Sequence, residues 1–223
     1  MAILKENPLG ILSGRVGDLV FRNIRGRVIV CKRPEPSSKP PTEKALLARR
    51  TFKYCARFSK FLNSLPPIHS VFYPLKKGAF QSIMKANART FIDFAPSVSS
   101  KIAPPGDFDL YIFYNNISER SINFSFLQVP EIITSKTKSI QMICIHTWLS
   151  PLNPDVAEPF ECFVSVHKFS YKDLLSPASH NIRDNVSPDT CSGHYSRKIL
   201  FYFFIITNPN GIILHSDSYS TEV

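Results

Sequence analysis

Glycine is scarce in this chain, with 8 residues in 223 against 18 prolines. No glycine precedes the Lys-Ser/Thr pair that a phosphate-cradling loop places at a helix start, which excludes that type of nucleotide site. Paired metal or redox spacings are also missing. The five cysteines, Cys31, Cys55, Cys144, Cys162 and Cys191, are odd in number and widely spaced, with no CxxC. They read as free, buried thiols rather than a disulfide or zinc framework. No long apolar run occurs. The longest, Ile199 to Ile206, has eight residues and is too short to span a bilayer as a helix. Lys5, Glu6 and Asn7 interrupt the start where a secretory signal would need an apolar stretch. The expectation is a soluble cytoplasmic protein with no membrane partner.

Acidic residues are rare in the first half. Residues 1–101 hold 19 Lys/Arg against 5 Asp/Glu, a local charge of +14; residues 102–223 hold 8 against 12, which is −4. Such a split suits a polyanionic partner or head-to-tail contact between copies. Apolar residues make up 43% of the chain and include 18 Phe and 8 Tyr, enough to build a packed core.

Three segments follow from the patterning. Residues 1–41 read as an extended arm. It carries a hairpin of two β-rich runs, Asp18 to Arg22 and Arg27 to Cys31, and then a Pro-rich, polyproline-like linker over 34–41. A lone two-stranded hairpin is marginal in water and needs another surface to lie on. Residues 42–106 read as a basic helical segment. Thr42 is placed to cap a helix over about 43–64, and Pro66-Pro67 ends it. The apolar stripe of that helix is Leu47, Cys55, Phe58, Leu62 and Leu65, widened by Phe52, Tyr54 and Phe61. Its other face carries Arg49, Lys53, Arg57 and Lys60 at offsets of four, four and three, which aligns them. A second helix is expected over about 75–92, and Pro104-Pro105-Gly106 marks a boundary.

From 107 the period becomes strand-like. Runs near 108–114, 122–126, 139–149, 159–169, 197–207 and 212–219 predict six strands, with Asn208-Pro209-Asn210-Gly211 as a hairpin turn. The polar stretch 173–196 reads as a long surface loop. The fold class expected is therefore α+β: a basic N-terminal hairpin arm and two helices, then an antiparallel, immunoglobulin-like β-sandwich over 107–223.

One resemblance attaches to particular residues. They are the run Gly10 to Phe21, then Gly26, Arg33-Pro34, Pro41-Thr42-Glu43, Arg49 and Phe52, and in the closing segment Tyr202 to Ile205 with Asp217-Ser218-Tyr219. This pattern resembles an uncharacterised bacterial family, the domain of unknown function 6266, and related short proteins of phage-like gene clusters. It covers about the first 60 residues and the last 25. Members of that family often carry Asn before the linker proline and Gln at the helix start, where this chain has Ser38-Lys39 and Lys44. The family has no known activity, so the resemblance implies none.

Catalytic and metal signatures are weak. His69, His146, His167, His180, His194 and His215 show no HxH or HExxH spacing. His146 and His167 could face each other on neighbouring strands, and Cys191 with His194 and Asp189 could form a nucleophile pair; core or surface roles are commoner for both sets. Trp148 with β-domain tyrosines could line a carbohydrate or peptide site, but a lone Trp at a strand end is more often core. No catalytic residue, metal site or cofactor is assigned. The residues expected to contact a partner or nucleic acid are Arg15, Arg22, Arg25, Arg27, Lys32 and Arg33 of the arm, with Arg49, Lys53, Arg57 and Lys60 of the helix. The function expected is a non-enzymatic structural protein that self-assembles through its arm into a ring or filament. The alternative is sequence-nonspecific nucleic-acid binding by the basic half.

Overall fold

A computed structural model describes residues 2–4, 14–24, 27–33, 35, 40–73, 78–118, 120–153, 158–188 and 190–223. The chain is α+β. It divides into two units, residues 1–43 and 44–223.

The first unit is a four-stranded antiparallel sheet. Its strands are β1 (Ala2–Leu4), β2 (Gly14–Val16), β3 (Leu19–Ile24) and β4 (Arg27–Lys32), in the order β1-β4-β3-β2. The hairpin read from the sequence is the β3–β4 pair, but two further strands flank it. Its register fixes two faces, because residues paired across antiparallel strands share a face. Val16 pairs with Leu19, and Phe21 with both Gly14 and Val30, so one face is apolar. Arg15 pairs with Val20, which itself pairs with Cys31, and Arg22 pairs with Ile29, so the other face carries the arginines. The expected linker lies mostly outside the described residues.

The second unit is built on a five-stranded antiparallel sheet. Two 13-residue strands, β9 (Ser139–Pro151) and β12 (Tyr195–Thr207), lie side by side at its centre. Beyond β9 lies β10 (Phe160–Phe169). Beyond β12 lie β13 (Ile213–His215) and β14 (Tyr219–Glu222), which pair with successive parts of that strand. The central strands are covered on both faces, which is why they read as near-continuous apolar runs.

On one face sit α1 (Glu43–Ser64), α2 (Pro66–Phe72), α3 (Ala79–Asn87) and a short hairpin of β5 (Phe91–Ile92) and β6 (Ala95–Pro96). Phe58 of α1 is fully buried there and meets Phe91, Phe160 and Phe201 at ring-centroid distances of 5.9, 6.1 and 6.2 Å. Odd-numbered residues of the central strands, including Ile143, Ile145, Ile199 and Phe203, complete this core. On the opposite face packs a three-stranded sheet of β7 (Ile112–Ser118), β8 (Ser121–Phe126) and β11 (His180–Arg183), ordered β11-β8-β7. Ile122 and Phe124 of β8 meet Met142, Leu200 and Phe204 there.

Several expectations are corrected. The helix over 43–64 forms, but Leu47 and Phe52, assigned to its buried stripe, are 55% and 64% exposed. The helix expected over about 75–92 is the shorter α3, and a separate helix, α2, precedes it, opened by the prolines at 66 and 67. The alternation near 108 starts its strand only at Ile112, although Phe108 forms an isolated bridge with Ser216. The stretch 173–196 is not a plain loop. It contains the end of α4 (Tyr171–Leu175), all of β11, and α5 (Thr190–His194). Ser170 caps α4: its Oγ accepts from Asp173 N, while the Asp173 carboxylate accepts from Ser170 N. The Pro104-Pro105-Gly106 segment, read as a boundary, lies against the closing segment of the chain. Gly106 N donates to Asp217 Oδ1 at 2.6 Å, and a Cβ at 106 would stand 2.3 Å from Asp217 N.

Candidate functional site

The residues singled out for partner contact fall into separate groups. On the N-terminal sheet, Arg15, Arg22, Arg27, Lys32 and Arg33 are all exposed. Arg15, Arg22 and Arg27 share the face opposite Phe21, while Lys32 is paired with Leu19 on the apolar face. Arg25 lies outside the described residues. Lys32 makes an exposed contact of 3.7 Å with Glu35, worth little in water. On α1, Arg49, Lys53, Arg57 and Lys60 are exposed as expected. They are not equivalent: Arg57 pairs with Glu158 at 2.9 Å and lies 5.8 Å from the Phe160 ring, so it anchors α1 to the sheet. Arg50, passed over in the sequence because it is off the aligned row, lies 4.4 Å over the Phe94 ring.

Among the side chains of β2, β3 and β4 whose burial is described, Val28 is the one buried hydrophobic. Val16 and Leu19 are 68% and 43% exposed. At the start of α1, Leu46 joins Leu47 and Phe52 in solvent.

Between the two sheets lies a buried polar chain. Lys198 Nζ donates to Asp184 Oδ2 at 2.5 Å, with both side chains out of solvent. Asp184 Oδ1 accepts from Ser187 N and Val186 N at 2.9 and 3.3 Å. His146 Nδ1 is 3.4 Å from Asp184 Oδ2, too poorly directed for a hydrogen bond. His146 Nε2 is 2.8 Å from Ser165 Oγ, which is 2.9 Å from His167 Nε2. The two histidines therefore meet through Ser165. Burial opposes charge on His146 and holds it down to about 4, despite Asp184, and burial also lowers His167. Burial by itself would raise Asp184, but hydrogen bonds from Lys198 and Ser187 outweigh it and hold the carboxyl at about 2.

The order Asp184, His146, Ser165 has the residue types of a hydrolytic triad, but the geometry favours structure. Lys198 occupies the carboxylate that would orient the imidazole, and the space beside His146, Asp184 and Lys198 is about 10 Å³, which admits no substrate. Among the described residues, no group of three or more His, Cys, Asp or Glu could hold a metal ion.

Cys191 is buried with its thiol facing Glu161 at 3.8 Å. Burial and that carboxylate both raise it, the reverse of nucleophile activation, while His194 is exposed. Asp189 lies outside the described residues. Burial pushes the Cys144 and Cys162 thiols up to about 12. Trp148 is core, 1% exposed, with Lys198 Nζ 4.8 Å from its ring.

A further feature was not read from the sequence. A cleft of about 460 Å³ opens between α1, the β5–β6 hairpin and the ends of β9, β12 and β14. Asp93, Phe94 and Ser150, the non-glycine residues with positive φ among those described, all line it. Asp93 and Phe94 form the two-residue turn of the hairpin, a position that favours Asn-Gly.

No family model, curated protein or solved structure matches the chain. Among the described residues, no helix is long and apolar enough to cross a membrane.

Proposed function

We propose that this is a non-enzymatic assembly protein whose N-terminal sheet packs on another polypeptide, most simply a second copy. The observation that carries the reading is the sheet's poverty of core. Among the side chains of β2, β3 and β4 whose burial is described, one hydrophobic residue is buried, while Val16 and Leu19 stand exposed on the apolar face. A sheet of this kind gains its stability by covering that face. The charge split supplies orientation, since a basic N-terminal half suits the acidic-leaning remainder of a neighbour. In this reading the two stacked sheets are an immunoglobulin-like scaffold that carries the arm, and the resemblance to the uncharacterised family is that of a shared arm.

The alternative is nucleic-acid binding, favoured by the arginines aligned on one face of the arm sheet. Phe21 lies on the opposite face, so the sheet does not interleave aromatic platforms with those cations. Light scattering coupled to size-exclusion chromatography, at low and high salt, separates the two. A nucleic-acid-free oligomer that becomes monomeric in Val16→Asp/Leu19→Asp supports assembly. A monomer that carries nucleic acid and sheds it in high salt overturns assembly in favour of the alternative.

A further inference from the structure

The 460 Å³ cleft has the size of a small-molecule site and a lining that mixes apolar walls with a few charges. Tyr54, Pro96 and Ile199 supply buried apolar wall. Four charged residues line it: Arg50, Asp93, Arg197 and Glu222. Two of them are satisfied by each other, since Arg197 Nε donates to Glu222 Oε1 at 2.7 Å. The other two are not ion-paired with any described residue. Arg50 stacks on Phe94, which fixes its guanidinium at the cleft without neutralising it. Asp93 is held at the hairpin turn with φ of 48°, next to Phe94 at 66°. Ser150, at 55°, stands on the opposite strand end. At 93 and 94 the two-residue hairpin turn itself imposes the left-handed backbone, and it holds both residues in the lining of the cleft.

We infer that this cleft binds a small amphipathic zwitterion, a free apolar amino acid or a short apolar peptide. Arg50 takes the carboxylate, Asp93 takes the ammonium, and the apolar body lies against Tyr54, Pro96 and Ile199. The reasoning is one of complementarity. A cleft with one unpaired cation, one unpaired anion and apolar walls discriminates against ligands that leave either charge unmatched. This site is independent of the assembly reading and stands or falls without it.

The test is calorimetric titration of the full-length protein with L-phenylalanine and with the dipeptide Phe-Phe, beside phenylacetate and phenethylamine, which each lack one charge. One-site saturation by phenylalanine or the dipeptide is expected, with both single-charge analogues about tenfold weaker or more. The tighter of the two zwitterions identifies the source. Arg50→Gln should abolish the preference over phenethylamine, and Asp93→Asn the preference over phenylacetate; Asn also tolerates the left-handed backbone at 93. No saturation by either zwitterion, equal binding of the analogues, or variants that keep the full discrimination would overturn the site. Should a variant fail to fold, NMR shifts of Tyr54 and Ile199 in the wild-type protein decide: perturbation by phenylalanine supports it and its absence overturns it.

Discussion

Lys198 Nζ lies 2.5 Å from Asp184 Oδ2, with 4% and 1% of the two side chains exposed. This ion pair ties the centre of the five-stranded sheet to the segment that follows β11. Removing one partner strands a charge in the core. Asp184→Ala is therefore expected to cost about 3–5 kcal/mol in urea unfolding. The double variant Asp184→Leu/Lys198→Met should lose far less than Asp184→Ala. A double variant as unstable as the single one would show that Asp184 acts through its other hydrogen bonds instead.

His146 gives the stability a pH dependence. Its folded value of about 4 lies below its ordinary 6.5 because burial disfavours the charged ring. Between those two values the unfolded chain takes up a proton that the folded chain refuses. Stability should be full above pH 6.5 and fall on acidification towards 4, by a few kcal/mol in order of magnitude. His167, lowered by burial in the same direction, adds to the slope. Urea midpoints measured from pH 7.5 to 4.5 check this, and His146→Gln should flatten the profile. A wild-type profile already flat over that range would refute the assignment.

Gly106 marks a close approach of two backbone segments. A Cβ there would sit 2.3 Å from both Asp217 N and Ser216 C. Gly106→Ala must push the 104–107 segment off the β13–β14 connection, and is expected to cost roughly 1–3 kcal/mol. Gly193→Ala meets nothing within 4 Å and serves as the control in thermal unfolding. Equal melting temperatures for the two variants would show that the approach is adaptable.

Val16 and Leu19 are exposed on the apolar face of the N-terminal sheet. Val16→Asp/Leu19→Asp should shift the scattering mass to that of one chain. The melting transition of the 44–223 unit should hardly change. Arg15→Ser/Arg22→Ser, on the other face, should leave the scattering mass intact, because the apolar face is untouched; a fall to the mass of one chain would place the contact on the arginine face instead.

Much of this architecture is legible from local pattern. The helix over 43–64 follows from an apolar stripe, an acidic first turn and the prolines behind it. The strands β8, β9, β10 and β12 follow from alternation or from short apolar runs bounded by turn residues. The apolar identity of Trp148 and the free thiols were legible too. These readings succeed because period and turn chemistry act over a few residues.

What local pattern misled about is equally specific. Leu47 and Phe52 have the right spacing for the buried stripe, yet the sheet does not extend under the first turns of α1. Polar composition made 173–196 look like a loop, because nothing local shows that Asp184 pairs with Lys198 or that the Ser187 carbonyl accepts from Arg120.

The sequence by itself determined the α+β class, the placement of the long strands, the exposure of the helix cations and the charge asymmetry, since all of these rest on composition and short-range period. Only the tertiary structure decided that helices and the smaller sheet cover opposite faces of one central sheet. It alone joined Lys198 to Asp184 across 14 residues, and His146 to His167 through Ser165. It alone brought Arg50 and Asp93 into one cleft, neither ion-paired with a described residue. Such groupings depend on which strands pair and which faces they turn to each other, and that information is carried by packing over the whole unit rather than by any short segment.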